Sequence, residues 1–573
     1  MKISRKKSYI IEFMIAALLN IAIIMTGWEG FLKIIVTGTI ILSAVMCALL
    51  SKYIDIDILR KNKKKVLSLA ILLLIIIFFV YAHYISKLAM PGSPQFILMI
   101  SAFIFIAITT VCSILIYLSS KDRIDIAVTM IVSCFGLVYM FAMPVSVAPD
   151  EIVHAFTAYH TSNMMMGIDD SACKETGQVL IRTDDAQYNM QALQYTDEQV
   201  ISVLSQLTNP LRDETLIQAG WGVMYGNEYL FVPCAVGLTV GRLLHLGTVA
   251  TLMLGRAFNF VFYLILLFFS LKILPFGKQI LGMIALLPMS IQQCMSYSYD
   301  CIVNACAFFL VAMTMKIWLE GKKTEKHRYV RDLVVLLASI LLFKAKGHAY
   351  APIAILPYVA LLWNKWKCPE NKKRNLVLGA SLGVLFAVII GVAILIVFGN
   401  DHLVPYVEHK LSYLDANGYT VSFLINNPTH IVNLFVNTLI HMTPYYVASC
   451  IGRSLGWLEI TVNKVYIIVY LVLLIAVFFI KKEKNIVGSA SVLTIVLCTI
   501  SVLFIFVGMA VSWTPIGVYI VQGVQGRYFL PMLLPLCLSF KGWIHKNYSQ
   551  YLLIMTMYLS VLTTFDMMAW FFR

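Results

Sequence analysis

The chain has 573 residues, of which 60% are hydrophobic and only 13% are charged, whereas soluble proteins contain roughly 45–50% apolar residues. Many of its apolar runs reach the roughly 20 residues that a membrane-spanning helix requires. This composition excludes a soluble globular protein and predicts an all-α polytopic membrane protein. The net charge of +15 therefore indicates basic cytoplasmic loops and contact with lipid, not a nucleic-acid-binding surface.

The first predicted elements are four membrane helices at the N-terminus. The apolar run 9–26 follows a basic N-terminus and lacks the small-residue cleavage site of a signal peptide, so we predict a retained helix that starts in the cytoplasm. The next three apolar runs are 31–50, 66–86 and 96–118. We interpret residues 1–123 as a four-helix N-terminal extension.

A long outer segment is predicted after the next helix, 124–144. Counting the crossings places residues 145–228 outside, and this segment contains 12 acidic but only 3 basic residues. The clusters that we assign to the cytoplasm together hold 25 Lys and Arg against 6 acidic residues. These clusters are residues 1–8, 51–65, 320–331, 364–374, 481–484 and 541–546. The count of crossings and the distribution of charge therefore agree on the topology. The length of the outer segment suggests a lid or active-site loop.

The rest of the chain continues the bundle. We predict that 229–247 is interfacial or re-entrant, because a crossing there would place the basic cluster 320–331 outside. We predict the same for 431–452, and a shallow hairpin formed by 330–343 and 351–363. The remaining predicted spans are 251–273, 279–295, 301–319, 376–398, 464–480, 487–511, 527–540 and 550–571. The total is about 13–15 spans.

The first candidate site lies where the helix 124–144 ends, in the sequence Pro-Asp-Glu-Ile-Val-His. If a helix starts here, Asp150, Glu151 and His154 share one face. One of these groups could then accept a proton while another orients it. Acids at a helix start are equally expected to interact with the helix dipole, so the spacing leaves both interpretations open.

Four further charged residues are predicted on the same side. Asp300 stands alone at the start of the run 301–319, either as an N-cap or as a partner of Asp150 in a site. Basic groups occur at Lys344 and Lys346, and again at Arg527, against the positive-inside bias. A guanidinium fork and an ammonium both suit phosphate, which favours a phosphate clamp; snorkelling to lipid headgroups is the alternative.

Four of these motifs together resemble a known family. They are Pro-Asp-Glu-x-x-His at 149–154, Ser-x-Ser-x-Asp at 296–300, the Lys-rich turn before Tyr350, and Gln-Gly-Arg-Tyr-Phe-x-Pro at 525–531. They resemble a bacterial family of membrane proteins of unknown function that is grouped with the GT-C glycosyltransferases. GT-C enzymes take sugars from polyprenyl-phosphate carriers on the outer face of the membrane.

The resemblance covers roughly residues 124–540 and implies a GT-C-like core there, including the outer loop 145–228, with 541–573 as a C-terminal transmembrane helix. GT-C enzymes carry an acid in the first outer loop and often one in the second, which would correspond to Asp150 or Glu151 and to Asp300. The chain departs from the family pattern at Thr157, where an arginine usually follows the histidine.

The resemblance implies an inverting glycosyltransferase of a bacterial plasma membrane, with an outer active site, a polyprenyl-phosphate-linked sugar as donor and a cell-envelope glycan or lipid-linked acceptor. We expect catalysis by Asp150 as general base with Glu151 or His154, and phosphate binding by Lys344, Lys346 and Arg527. The residues assigned to substrate binding are Tyr350, Gln525 and Tyr528.

Two questions stay open at this point. The first is whether a Mg²⁺ or Mn²⁺ ion bridges Asp150 and Asp300, since hard oxygen ligands suit either ion. The other is the class of protein: a transporter or flippase of lipid-linked glycans, which inverted repeats would favour, a polysaccharide polymerase, or a purely structural membrane protein.

Overall fold

The structure is a computed structural model of the chain. It describes residues 30–88, 90–120, 123–189, 196–320, 328–366, 411, 416–480, 482, 488–540, 542 and 548–572. The predicted helices 9–26 and 376–398 lie outside these residues. The described part is almost entirely helical, which confirms the all-α class.

The helices before the outer segment are Gly30–Tyr53, Ile56–Lys61, Lys63–Val80, the π-helical turn Tyr81–Ile85, Ser86–Leu88, Pro94–Ser119 and Ile124–Ala142. The outer segment contains the helices Glu151–Met166, Thr183–Asn189 and Asp197–Ser205, the 3₁₀ turns Ser171–Cys173, Gln206–Thr208 and Glu228–Leu230, and the antiparallel strands Val179–Arg182 and Leu216–Ala219.

The core continues with the helices Val232–Leu243, Thr248–Ile273, Lys278–Ala285, Pro288–Cys294, Asp300–Glu320, Arg328–Lys344, Ala351–Ala354 and Leu356–Trp366. The last elements are the helices Val421–Asn426 and Pro428–Ile451, the antiparallel strands Ser454–Leu455 and Ile460–Thr461, the helices Lys464–Phe479 and Gly488–Trp513, the 3₁₀ turn Gly526–Phe529, and the helices Leu530–Ser539 and Ser549–Phe571.

Eight of the described helices are long and apolar enough to cross a membrane, which confirms a multi-pass membrane protein. Two of them are largely buried inside the protein: about four fifths of the residues in their most apolar 18-residue stretch are buried, 78% in Asp300–Leu319 and 83% in Ser549–Phe571. The corresponding share is 17% for Gly30–Leu50 and for Lys63–Ile85. The core therefore forms around the later helices, and these two helices of the N-terminal extension lie at its edge.

The run 279–295 is not the single spanning helix that we predicted. It forms two short buried helices that are separated at Leu287, whose ψ of 137° is extended. Pro288 explains the break, because proline lacks an N–H group and disfavours a helical conformation in the residue before it. The segment 229–247 contains only the 12-residue helix Val232–Leu243, which is too short to cross a bilayer.

Two more predicted elements have different extents in the structure. The segment 431–452 is part of one continuous helix, Pro428–Ile451, with Pro444 inside it. The predicted span 527–540 consists of a 3₁₀ turn and a helix of only 10 residues, Leu530–Ser539.

Segments that are distant in sequence meet at one end of the bundle. Asp150 follows the helix Ile124–Ala142, and Arg527 precedes the helix Leu530–Ser539; their side chains form an ion pair. At the opposite end, the Lys65 ammonium donates a 2.6 Å hydrogen bond to the Gln550 side chain, and the Lys482 ammonium donates to the Phe540 carbonyl. Lys65 and Lys482, each from one of the predicted cytoplasmic clusters, thus lie at the end away from Asp150.

Cysteine labelling tests which end is outside. We expect Glu175→Cys to react with a membrane-impermeant maleimide in intact cells, because Glu175 is exposed in the acidic outer segment. We expect Lys61→Cys, also exposed, to react only after permeabilisation. The unsubstituted protein gives the background from native cysteines. Labelling of both variants from the same side would contradict the topology.

Candidate functional site

A buried ion pair shapes the turn that carries Asp150. The Arg256 guanidinium donates to both oxygens of the Glu151 carboxylate, at 2.8 Å from Nε and 2.7 Å from Nη2. The same guanidinium donates to the carbonyls of Met143 and Pro144, which lie just after the helix Ile124–Ala142, where carbonyls lose their intrahelical donors. Arg256 therefore caps this helix and anchors the following turn.

The Glu151 carboxylate completes the same structure. It accepts hydrogen bonds from the backbone N–H groups of Ser146, Ala148 and Tyr297, and its side chain is fully buried. Arg256 and the backbone groups occupy both carboxylate oxygens, which gives Glu151 a structural role in the turn that carries Asp150. The predicted catalytic or orienting role of Glu151 stays a prediction.

Asp150 lies in a left-handed conformation, with φ 60° and ψ 8°, which non-glycine residues seldom adopt and which is often found at functional sites. Its Oδ2 accepts a 2.8 Å hydrogen bond from Arg527 Nη2. Its side chain is 46% exposed, whereas the side chain of Arg527 is 3% exposed. Asp150 thus lies at the surface of the site and Arg527 lies beneath it.

The ionisation of Asp150 follows from these contacts. Burial favours the neutral carboxyl, but the Arg527 guanidinium outweighs this effect and holds the pKa of Asp150 below its usual range. Asp150 is therefore a carboxylate at neutral pH.

Arg527 is the centre of a charged cluster that also contains Asp150, Asp300 and Lys346. Its Nε lies 3.4 Å from Asp300 Oδ2, without hydrogen-bond geometry, and its Nη1 makes no hydrogen bond with any described residue. The neighbouring Gly526 lets this segment lie against the helix Pro428–Ile451, because a Cβ atom at 526 would overlap the backbone of Tyr446 and Cys450. The glycine of the Gln-Gly-Arg-Tyr-Phe motif therefore positions the arginine.

Lys346 neutralises the second acid. Its Nζ lies 3.2 Å from Asp300 Oδ1 and donates a 3.0 Å hydrogen bond to the Tyr299 hydroxyl. The ammonium also lies 3.8 Å from the ring centroid of Tyr528, a cation–π contact. Lys346 is thus engaged by an acid and two aromatic rings.

His154 lies beside the cluster, one turn after Asp150. Its ring contacts the rings of Phe231 and Tyr299 at centroid distances of 5.5 and 5.1 Å. Burial lowers the pKa of His154 to about 4, so the imidazole is neutral at pH 7. Its buried Nδ1 forms no hydrogen bond within the described part of the chain.

The remaining predicted site residues separate into two groups. Tyr350 and Gln525 both contact the backbone of Tyr528, next to Arg527. The Tyr350 hydroxyl donates to the Tyr528 carbonyl at 3.0 Å, and the carbonyl of the half-buried Gln525 accepts from the Tyr528 N–H. Lys344 does not join the cluster: it is exposed, and its ammonium lies 5.1 Å from the ring centroid of Tyr229. The phosphate-binding prediction for Lys344 therefore lacks a geometric basis, because the following turn directs Lys346, not Lys344, to Asp300.

The position between Asp150 and Asp300, where the sequence left a metal ion open, is occupied by a side chain. Arg527 contacts both Asp150 and Asp300, so a guanidinium lies where we left open a Mg²⁺ or Mn²⁺ ion. Across the described ranges, no three His, Cys, Asp or Glu side chains come together as a metal-binding group. Thr157 is also satisfied by the protein, since its hydroxyl donates to the Val153 carbonyl and accepts from the Met224 N–H.

Sequence reasoning missed Arg256 and the aromatic residues around His154. A signal for Arg256 was present, because an arginine inside the apolar run 251–273 has to find a partner. Nothing in the sequence indicated that this partner would be Glu151, 105 positions earlier.

The Glu151–Arg256 pair is expected to dominate the stability of this region. Glu151→Gln leaves a buried guanidinium without its counter-charge, which typically costs roughly 3–5 kcal/mol. We expect a clear drop in the unfolding temperature of the purified protein in detergent. Glu214→Gln breaks the exposed contact with His245 and is the matched control, with little change expected. Equal unfolding temperatures for both variants would contradict this structural role.

Comparison with known proteins gives one match. The family model described as predicted membrane protein, DUF2142, matches residues 134–536, a range that contains every member of the cluster. The searches of curated proteins and of solved structures returned no match. Because the matched range is well over half of the 573 residues, the chain belongs to the DUF2142 family of membrane proteins.

Proposed function

We propose that this protein is a membrane glycosyltransferase that transfers a sugar from a polyprenyl-phosphate donor to a hydroxyl group of a cell-envelope acceptor, at the outer face of a bacterial plasma membrane. The observation that carries the proposal is a buried guanidinium beside a half-exposed carboxylate, with N–H groups that donate to no described residue. The motif resemblance to GT-C enzymes supports the same chemistry.

Arg527 suits the phosphate of the donor. It is buried at an end of the helix bundle, and its Nη1 lacks a hydrogen-bond partner among the described residues. A buried guanidinium with unused donors is costly unless a ligand completes it, and phosphate oxygens match its planar fork. A lipid-linked phosphate reaches this depth because its chain stays in the bilayer.

Asp150 suits the acceptor. It is ionised and half-exposed, so a substrate hydroxyl can reach it from the outer side. In the proposed step, the acceptor oxygen attacks the anomeric carbon of the donor and gives its proton to the Asp150 carboxylate. The bond between that carbon and the phosphate oxygen breaks, and the phosphate leaves with the bonding electron pair. A single displacement inverts the anomeric centre.

The other members of the cluster support these two residues. Asp300, which is paired with Lys346, provides a second counter-charge to Arg527, and Glu151 with Arg256 fixes the turn before Asp150. Neutral His154 packs beside them, and its buried Nδ1 forms no hydrogen bond with the described residues. Stabilisation of the leaving phosphate by Arg527 is electrostatic, as in other preorganised sites.

The function can be tested in cells without knowing the sugar. We expect cells that lack the gene to accumulate one polyprenyl-phosphate-linked sugar and to lose that sugar from an envelope glycan, both measured by mass spectrometry. The wild-type gene should restore both pools. Unchanged pools in the deleted strain would contradict the proposal, whereas accumulation of a complete lipid-linked glycan would favour a flippase or polymerase.

A further inference from the structure

One edge of the Arg527 guanidinium is divided between two acids. Nη2 donates to Asp150 at 2.8 Å, and Nε lies 3.4 Å from Asp300. Each carboxylate thus uses a single oxygen, although this edge of a guanidinium is suited to one bidentate anion. A phosphate group would engage Nη2 with one oxygen and Nη1, which bonds to no described residue, with another.

The two acids differ in how easily they can leave. The Asp300 side chain is 5% exposed and is also paired with Lys346. The Asp150 side chain is 46% exposed, so it can turn towards water, which then solvates the carboxylate in place of Arg527. The backbone on either side stays in place, because Glu151 and Arg256 fix the preceding turn.

The charges of the cluster favour such an exchange. Asp150 and Asp300 balance Lys346 and Arg527, so the four side chains carry no net charge when all are ionised. A phosphate that binds Arg527 while Asp150 remains beside it adds a like charge next to a carboxylate, which is unfavourable. Departure of Asp150 removes that repulsion and leaves Nη2 to the phosphate, next to Nη1, which bonds to no described residue.

We propose that Asp150 and the donor phosphate compete for Arg527, so that binding of the donor displaces the Asp150 carboxylate and releases it to act as the base. The inference rests on the proposed function only in identifying the anion as the phosphate of a lipid-linked sugar. It couples the two substrates: the carboxylate becomes available to the acceptor hydroxyl when a donor is bound, which limits wasteful chemistry without one.

Competition predicts an unusual effect of removing a charged site residue. Asp150→Asn should bind citronellyl phosphate, a short prenyl phosphate without a sugar, more tightly than the wild type does. We expect a gain of about 5- to 150-fold, the range usual for coupling between two ligands, measured by calorimetry on the full-length protein in detergent. Inorganic phosphate, measured in parallel, shows whether the phosphate alone or the prenyl phosphate is required.

Two comparisons make the test specific. Asp169→Asn removes an exposed acid of the outer segment and should leave the affinity unchanged. In an Arg527→Gln background, Asp150→Asn should give no gain, because there is no guanidinium to compete for; equal or undetectable binding by both proteins meets this expectation. Folding of each variant is checked by its unfolding temperature.

Two results would overturn the competition. The first is an affinity of Asp150→Asn that equals or falls below that of the wild type. The second is a gain that persists with Arg527→Gln, which would indicate a general charge effect. Neither result depends on sugar transfer: a protein that shows the predicted gain but transfers no sugar would contradict the proposed function alone.

Discussion

Asp150→Asn is expected to lower the rate of sugar transfer by about 10²–10⁴-fold, the usual loss when a positioned general base is removed. The amide has nearly the same shape and can still accept a hydrogen bond from Arg527, but it cannot take the proton of the acceptor hydroxyl. Single-turnover transfer from a radiolabelled polyprenyl-phosphate sugar, with purified protein, measures this loss directly.

The matched control is Asp169→Asn, which makes the same chemical change at an exposed position of the outer segment. We expect it to transfer sugar at the wild-type rate. If Asp150→Asn also turns over at the wild-type rate, Asp150 is not the base, and its left-handed conformation serves only the fold.

Arg527→Lys is expected to weaken donor binding by about 10- to 100-fold, because hydrogen bonds to charged groups contribute roughly 1.5–3 kcal/mol each. Lysine keeps the positive charge between Asp150 and Asp300 but lacks the planar fork. The substitution thus separates fork geometry from charge. Titration of the polyprenyl-phosphate sugar against the purified protein measures the affinity.

Arg212→Lys is the control for Arg527→Lys, since Arg212 is exposed in the outer segment. We expect its donor affinity to match that of the wild type. An unchanged affinity for Arg527→Lys would mean that Arg527 contributes only charge to the site and does not bind the donor through its fork.

The sequence was sufficient to predict that the main charged residues lie on the same side of the membrane. Asp150, Asp300, Lys346 and Arg527 each lie at the end of an apolar run, and counting crossings assigned all four ends to one side. That count allowed the four residues to be neighbours, and the ion pairs of the structure bring them together.

Packing decided what the sequence left ambiguous. Glu151 and Asp150 are neighbours with the same chemistry, but only Glu151 turns inward, because Arg256 and three backbone N–H groups receive it. Lys344 and Lys346 are two positions apart, and the tight turn, in which Lys346 has a φ of 48°, determines which lysine reaches Asp300. Such choices depend on tertiary contacts that no local pattern encodes.

The central claim is that this protein transfers the sugar rather than moving its carrier. The most direct measurement uses vesicles that contain the purified protein, a radiolabelled polyprenyl-phosphate sugar, and lipid-linked acceptors extracted from cells lacking the gene. We expect the label to appear on the acceptor with equimolar release of polyprenyl phosphate, and Asp150→Asn to bind the donor without this transfer. Label that crosses to the opposite leaflet while still attached to polyprenyl phosphate, with no labelled acceptor, would contradict the account.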